Sequence, residues 1–248
     1  GLIDQAEATH AARDLSAGWV ATLRDLFVPL RFPLHALQMT ALYVGQMAPS
    51  SFITNCAYFQ ASDELRRIQR MAYWTKVLAN AHGDELAETH TARAPFESAA
   101  HWQPLRQVVE EMLIAYDWGE SFTALNLVVK PMMDALVNEQ LGALAKANGD
   151  RFLSELLAEF DLDSRRSQDW SQALVAYCVD RQPELHGVFA GWLAKWQPKA
   201  KAAVDALAPL FTQAPNPMSA QTVSEMVARR YADFIEEAGL PAGSQTRA

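Results

Sequence analysis

Glutamate and histidine at helical spacing are the residues of this sequence that could bind metal ions. A dinuclear metal site inside a helical bundle needs a Glu from each of two helices and a Glu-x-x-His pair from each of two others. The three-residue spacing matters because it places carboxylate and imidazole on one helical face. The literal match is Glu7-x-x-His10, and no second copy follows in the sequence. A lone match in an alanine-rich segment is more typical of a solvated helix face than of a metal site.

Two further segments share an Asp-x-x-Arg frame. Residues 63–67, Asp-Glu-Leu-Arg-Arg, resemble the Asp-Glu-x-Arg-His ligand helix of diiron monooxygenases, with Arg67 in place of the histidine. In residues 163–167, Asp-Ser-Arg-Arg-Ser, serine occupies both ligand positions, Ser164 and Ser167. The second segment therefore keeps the frame of a ligand helix without its ligands.

The remaining ligand positions are only partly filled. Glu120 lies near the start of a long predicted helix, whereas no Glu occurs near Leu34 and His35, where a first ligand is expected. Of the six positions that a dinuclear site requires, only Glu64 and Glu120 keep a carboxylate, and His35 is nearby but out of register. Two carboxylates without an imidazole would leave two iron ions under-ligated. The sequence therefore predicts degenerate metal positions and no catalytic residue.

Arg67 introduces a positive charge at the lost histidine position. Two buried carboxylates without a cation are costly to ionise. One hypothesis is that Arg67, with Arg66, forms ion pairs with Glu64 or Glu120 where the iron ions would lie. The alternative is that both arginines contact other groups at a subunit interface, and the sequence leaves the two interpretations open.

The elements that must position these residues are predicted to be helices. Ala, Leu, Glu, Gln and Arg dominate, and alternating β-branched runs are missing. The predicted helices cover residues 4–26, 33–46, 51–81, 101–116, 118–147, 151–160, 164–180, 184–211 and 219–238. Residues 83–98 are predicted to form a loop or a frayed turn, and Pro131 is predicted to kink its helix.

Two helices of about 30 residues, each about 45 Å long, favour a ferritin-like long-helix bundle within the all-α class. One helical domain over residues 1–238 and a mobile tail over residues 239–248 are expected.

Charge and composition exclude several classes of function. The net charge is −8 and no dense basic stripe occurs, so a nucleic-acid partner is not expected. No run approaches the roughly 18 apolar residues of a membrane span, and no signal peptide is recognisable. Cys56 and Cys178 lie in helical apolar patterns, which favours a reducing cytoplasm over a disulfide framework.

Four segments, in order along the chain, resemble the β subunit of toluene and phenol monooxygenase hydroxylases. The first spans residues 29–80, including Pro-Leu-Arg-Phe-Pro-Leu-His-Ala-Leu-Gln-Met and Gln-Met-Ala-Pro-Ser-Ser. The others are Asp-Trp-Gly-Glu-Ser-Phe with Ala-Leu-Asn-Leu-Val-Val-Lys-Pro in residues 117–131, Trp-Ser-Gln-Ala-Leu-Val in residues 170–175, and Gly-Trp-Leu-Ala-Lys-Trp in residues 191–196. The resemblance covers most of residues 20–205.

The resemblance implies a function in aromatic hydrocarbon catabolism. In this family an iron-bearing α subunit pairs with a β subunit of the same ribonucleotide-reductase-like fold, which holds no iron, and with a small γ subunit. An effector protein, a ferredoxin and a reductase complete the complex, with NADH, flavin and an iron–sulfur group in those components. The resemblance implies no cofactor in this chain and a longer N-terminal arm. The substrate of the complex, whether toluene, phenol, benzene or an alkene, stays open.

The second predicted helix is the candidate interface with the α subunit. It carries a mixture of polar and aromatic residues that is unusual for a core face: His35, Gln38, Met39, Tyr43 and Gln46. A buried bundle position is the alternative for these residues. Two other functions are an autonomous diiron oxidase with unusual ligands, which the missing histidines disfavour, and a helical interaction module unrelated to oxygenases. A lone β subunit would expose an apolar interface and self-associate, whereas an independent module would not.

Overall fold

Helices form almost the whole of the part of the chain that the structure describes. The structure is a computed structural model that describes residues 11–241, and no strand occurs within them. The helices are α1 (Ala17–Leu26), α2 (Arg31–Met47), α3 (Ser51–His82), α4 (Thr89–Ser98), α5 (Gln103–Leu113), α6 (residues 118–147), α7 (Arg151–Arg181), α8 (Leu185–Leu207) and α9 (Ala220–Glu237). Short 3-10 turns cover Val28–Leu30, Asp84–Ala87, Ala100–Trp102 and Ala208–Gln213. The predicted all-α class is confirmed.

Capping side chains define the ends of the long helices. Ser50 accepts a hydrogen bond from the backbone N–H of Phe52 at the start of α3, as its Pro-Ser-Ser sequence predicts. Gly83, with a φ of 130°, follows the last residue of α3 in a conformation that a side chain would disfavour. Gly239, with a φ of 69°, follows α9, and Leu240 donates to the Ile235 carbonyl at 3.1 Å.

Several of the predicted boundaries are wrong, including that of the first helix, since residues 11–16 form turns before α1 begins. Residues 83–98 are not a loop, because α4 buries Ala92 and stacks Phe96 on Phe32, with the ring centroids 5.7 Å apart. The predicted break between residues 160 and 164 is also absent, and α7 is one helix of 31 residues. Phe160 and Ser164 stay buried on the same face through this stretch.

The ends of the chain are only partly among the described residues. Leu240 is buried, so packing continues past the expected start of the C-terminal tail, and the rest of that tail, residues 242–248, lies outside the described residues. The Glu7-x-x-His10 match and the start of the first predicted helix also lie outside them. No helix in the described range is long and apolar enough to cross a lipid bilayer.

The central helix α6 is irregular. Residues Thr123–Val129 and Ala135–Leu141 form wider π-helical turns, on either side of the α-helical segment Lys130–Asp134. Pro131, which has no backbone N–H, is the second residue after the first π segment. The helix is therefore irregular next to this proline, where its turns widen from α to π. Such π segments often occur at functional positions of a helix.

The core is organised around α6. Residues 121–138 of this helix are buried without interruption, whereas the other long helices bury one face each. The buried hydrophobic residues of the long helices belong to one continuous core. Polar side chains on α6 must therefore find their partners inside the protein.

Asp150 provides a first test of the packing. Its carboxylate is buried, caps α7 by accepting from the Leu153 N–H at 3.0 Å, and accepts from Trp19 Nε1 at 3.1 Å. Asp150→Ala should lower the free energy of unfolding by about 3 kcal/mol in urea denaturation, since a cap and the partner of a buried indole are lost together. Ser219→Ala, at the exposed cap of α9, should cost only about 1 kcal/mol. Equal losses in the two variants would contradict a role for the Trp19 contact.

Candidate functional site

One face of α6 carries a buried row of polar residues. Asn126, Lys130, Asp134 and Asn138 recur at every fourth position, and each is at most 4% exposed. Residues four apart lie on the same face of a helix, so the row forms a continuous polar stripe. Its partners are on α3 and α7.

At the centre of the stripe lies a charged cluster, which consists of Glu64, Arg67, Lys130 and Asp134. Lys130 Nζ donates to Glu64 Oε1 and, at 2.9 Å, to Asp134 Oδ2. Arg67 Nη1 donates to Asp134 Oδ1 at 2.7 Å and lies 3.6 Å from Glu64 Oε2. All four side chains are buried, and their formal charges cancel.

Mutual attraction keeps the α6 members of the charged cluster ionised. Burial alone would lower the pKa of Lys130, but the carboxylates of Asp134 and Glu64 outweigh it and raise that pKa. Burial would likewise raise the pKa of Asp134, and the cationic Lys130 and Arg67 outweigh it and lower that pKa. Opposite charges a few ångströms apart in a medium of low dielectric produce these directions.

Hydrogen bonds to uncharged side chains continue the polar contacts across the bundle. Arg67 Nη2 donates to Asn138 Oδ1 at 2.8 Å, and Asn138 Nδ2 donates to Ser164 Oγ at 3.0 Å. On the other side, Asn126 Nδ2 donates to Gln60 Oε1 at 2.8 Å and to Ser171 Oγ at 2.9 Å. These contacts join α3, α6 and α7 and leave few buried polar atoms without a partner.

The structure brings together only some of the residues that the sequence singled out. The predicted ion pair of Arg67 with Glu64 is present. The alternative partner, Glu120, is engaged elsewhere, because it pairs with Lys195 and accepts from Trp196 Nε1 at 3.0 Å. Asp134 takes its place, 14 residues or about 20 Å further along α6.

The other predicted positions lie around the charged cluster or away from it. Ser164 accepts from Asn138, as described above, and Ser167 Oγ donates to the Asp163 carbonyl at 3.2 Å. Arg66 is exposed and pairs with Asp163, so it takes no part in the charged cluster. Near the expected first ligand, Leu34 is buried and His35 is exposed.

The charged cluster does not suit a pair of metal ions. Each of its carboxylates is already neutralised by two cationic side chains, and no histidine is buried in residues 11–241. In the same range no group of three or more His, Cys, Asp or Glu side chains is arranged to hold a metal ion. Protonated lysine and arginine donate hydrogen bonds and offer no lone pair to a metal.

Sequence reasoning missed the α6 side of the charged cluster. Lys130, Asp134 and Asn138 were not recognised, although their four-residue spacing in an otherwise apolar helix was visible. A polar stripe inside an apolar segment predicts a buried network or a polar channel. The stripe does not match the Glu-x-x-His pattern, because it contains neither a glutamate nor a histidine.

The outward side of α2 forms a second candidate surface. His35, Met39, Leu42 and Gln46 are exposed at helical spacing, whereas Gln38 is buried. The half-buried Tyr43 donates through its hydroxyl to the Tyr116 carbonyl at 2.6 Å, which ties α2 to the segment before α6.

This surface is apolar and uncharged over a long stretch of chain. We name Met39, Leu42, Met47, Ile114 and Tyr116 the apolar face; they are 42–89% exposed. The first three lie in a stretch, residues 32–62, that has no Asp, Glu, Lys or Arg. Ten of the fourteen exposed large hydrophobic side chains in the described range lie on α2, the first half of α3 and residues 113–116. Large apolar patches on a surface mark interaction sites.

Most of the chain resembles hydroxylase subunits of monooxygenase systems. The family model described as methane, phenol and alkene hydroxylase matches residues 1–182. The hydroxylase component subunit beta of the toluene-4-monooxygenase system from Ectopseudomonas mendocina is 38% identical over 205 residues, which cover 83% of this chain and 62% of that protein. The hydroxylase component small subunit of propane 2-monooxygenase from Gordonia sp. is 27% identical, over 68% of this chain and 47% of that protein.

Solved structures agree on the fold. A chain of toluene 4-monooxygenase with toluene bound in its resting active site matches with a TM-score of 0.81 and 38% identity, over 84% of this chain and 69% of that chain. A chain of phenol hydroxylase from Pseudomonas sp. OX1 matches with a TM-score of 0.85 and 20% identity, over 98% of this chain and 71% of that chain. The predicted ferritin-like helical class is confirmed. The present chain spans about three fifths of the length of its toluene-system relative.

Proposed function

Because the chain belongs to the methane, phenol and alkene hydroxylase family, we propose that it is the non-catalytic, structural β subunit of a soluble monooxygenase hydroxylase. Its relatives are named beta or small subunits of hydroxylase components, which supports this assignment. The likeness to the toluene-system subunit favours an aromatic hydrocarbon as the substrate of the complex. A cytoplasmic location belongs to the same proposal.

The charged cluster is the observation that carries the proposal. Its carboxylates are paired with Lys130 and Arg67, so the cluster offers no free donor set for the iron chemistry of a hydroxylase. Glu64, Arg67, Ser164 and Ser167 are proposed as the degenerate remains of ligand positions, with Asp134 in place of Glu120. The diiron centre would then belong to an α subunit, and NADH, flavin and an iron–sulfur group to other components.

The apolar face is the proposed site of contact with the α subunit. Interfaces between permanently associated subunits are depleted of charge at their centre and enriched in Met and aromatic residues. Met39 and its uncharged, exposed neighbours His35 and Gln46 fit such a centre, whereas Gln38 is buried beneath the surface and Tyr43 ties α2 to Tyr116. A γ subunit, an effector protein and a ferredoxin with its reductase are the further partners proposed.

Purification with and without an α-type partner tests the function. Co-expression should give a stoichiometric complex with about two iron ions per pair of subunits, and this chain alone should carry none by elemental analysis. Failure to associate with an α-type subunit from a toluene- or phenol-type system would contradict the partnership. About two iron ions in the isolated chain would instead support an autonomous oxidase and overturn the proposal.

A further inference from the structure

The connection between α5 and α6 carries the two most exposed residues of the apolar face. Residues 114–117, which we name the anchor loop, present Ile114 at 81% exposure and Tyr116 at 89%. The members of the apolar face that lie on α2 are at most 50% exposed. Folding therefore leaves almost the whole of Ile114 and Tyr116 in water, although burial would stabilise both side chains.

Hydrogen bonds from neighbouring helices hold the backbone of the anchor loop. The Tyr43 hydroxyl on α2 donates to the Tyr116 carbonyl at 2.6 Å. Ser121 on α6 is fully buried, and its Oγ donates to the Ala115 carbonyl at 2.7 Å, while its backbone N–H donates to the Asp117 carbonyl at 2.9 Å. Three successive carbonyl groups of the loop are thus bonded, so its backbone is fixed while its apolar side chains point to solvent.

Trp118 ties the end of the anchor loop to α2 a second time. Its Nε1 donates to the Val44 carbonyl at 2.9 Å, one residue after Tyr43. Its ring also stacks on the buried Phe122, with the ring centroids 5.9 Å apart. The anchor loop therefore keeps a fixed position relative to α2, which carries the rest of the apolar face.

We propose that the anchor loop contributes most of the binding free energy in the contact with an α-type subunit. Ile114 and Tyr116 insert into an apolar cleft of that partner, and Tyr43 and Ser121 act as positioning residues. Tyrosine is enriched among the few residues that dominate the affinity of an interface. Its hydroxyl requires a hydrogen-bond partner once the ring is buried, so the cleft has a polar group at its far end. This inference rests on the proposed function.

Charge favours an α-type subunit over a second copy of this chain as the occupant. The chain has a net charge of −8, and Asp117 is exposed in the anchor loop directly after Tyr116. A symmetric contact centred on the loop would bring Asp117 of both copies close together. Like charges across an interface are costly, so the loop suits a partner with a different surface.

The fixed backbone of the anchor loop lowers the cost of binding. A flexible loop loses conformational freedom when a partner binds, and the apparent Kd rises as the fraction of chains in the binding conformation falls. Loss of the Tyr43 hydroxyl removes one hydrogen bond, which corresponds to a factor of about 2–10 in that equilibrium. The same hydroxyl lies outside the cleft that the anchors enter, so its effect on Kd requires the anchors.

The test is a double-mutant cycle on the association of the full chain with an α-type subunit of a toluene- or phenol-type system, measured by surface plasmon resonance. Tyr116→Ala should raise Kd about 30-fold or more, and Tyr43→Phe about 2–10-fold. In a chain that already carries Ile114→Ala and Tyr116→Ala, Tyr43→Phe should have no further effect, because the position of the loop no longer matters.

Tyr177→Ala is the matched control, since Tyr177 is 61% exposed on α7, outside the apolar face. It should leave Kd unchanged, and all variants should keep the native Tm within a few degrees. Native affinity in Tyr116→Ala would overturn the inference and leave the proposed function intact, whereas a native chain that does not bind contradicts the proposed function itself. A Tyr43→Phe effect that persists in full without the anchors means that Tyr43 contacts the partner directly, which contradicts its positioning role.

Discussion

Arg67→Ala should lower the free energy of unfolding by about 3–5 kcal/mol. The guanidinium donates to Asp134 and Asn138 from a position only 3% exposed, so its removal leaves a carboxylate and an amide oxygen in the core without these donors. The loss of a buried partner is costly because the remaining charge keeps its desolvation penalty. Urea denaturation of the purified chain, followed by circular dichroism, measures the change.

The adjacent arginine provides the matched control. Arg66 pairs with Asp163 on the surface, and its side chain is 51% exposed. Exposed pairs of this kind contribute roughly 0–1 kcal/mol, so Arg66→Ala should leave the unfolding midpoint nearly unchanged. If Arg67→Ala also unfolds at the wild-type urea concentration, the charged cluster does not stabilise the fold.

A second variant distinguishes the loss of the attraction between Arg67 and Asp134 from the cost of a buried charge without a partner. Arg67→Ala combined with Asp134→Ala removes one cation and one anion, and leaves Lys130 paired with Glu64. The double variant should lose less free energy of unfolding than the sum of the losses in the two single variants. Each single variant leaves one buried charge without its partner, whereas the double variant removes both charges. Strict additivity in this double-mutant cycle would show that the two side chains act independently.

Met39→Asp should weaken association with an α-type subunit by about 30-fold or more, if the apolar face is the contact proposed above. A carboxylate at the centre of an uncharged interface must be desolvated without a partner, and truncation of central interface residues typically costs 2 kcal/mol or more. Size-exclusion chromatography and a titrated pull-down with the tagged partner measure the loss.

Met226→Asp is the corresponding control for association. Met39 and Met226 are both 45% exposed, but Met226 lies on α9, away from the apolar face. Neither substitution should change the Tm of the isolated chain by more than a few degrees, because surface changes rarely exceed ~0.5 kcal/mol. If both variants weaken association equally, or if neither weakens it, the partner binds another surface.

The amino-acid sequence by itself determined the local features of this protein. The Ser50 cap and the Gly83 termination set the ends of α3, and both depend on neighbours within a few residues. The pairing of Arg67 with Glu64 also followed from sequence, because a three-residue spacing places both on one helical face. The replacement of histidine by Arg67 needed no structure at all.

Boundaries failed where packing outweighed local signals. A break is predicted between residues 160 and 164, yet α7 continues through it with Phe160 and Ser164 buried on one face. Likewise, residues 83–98 are predicted to be a loop or a frayed turn, whereas α4 buries Ala92 completely. Burial against other helices determined the outcome in both regions.

Only the tertiary structure decided which residue of α6 meets Arg67. Glu120 was the expected partner because it is a glutamate near the start of the helix, but Asp134 and Lys130 lie opposite α3 instead. Spacing along one helix fixes which side chains share a face. The axial offset and rotation between two helices come from the packing of their side chains over long sequence separations, and no local pattern encodes them.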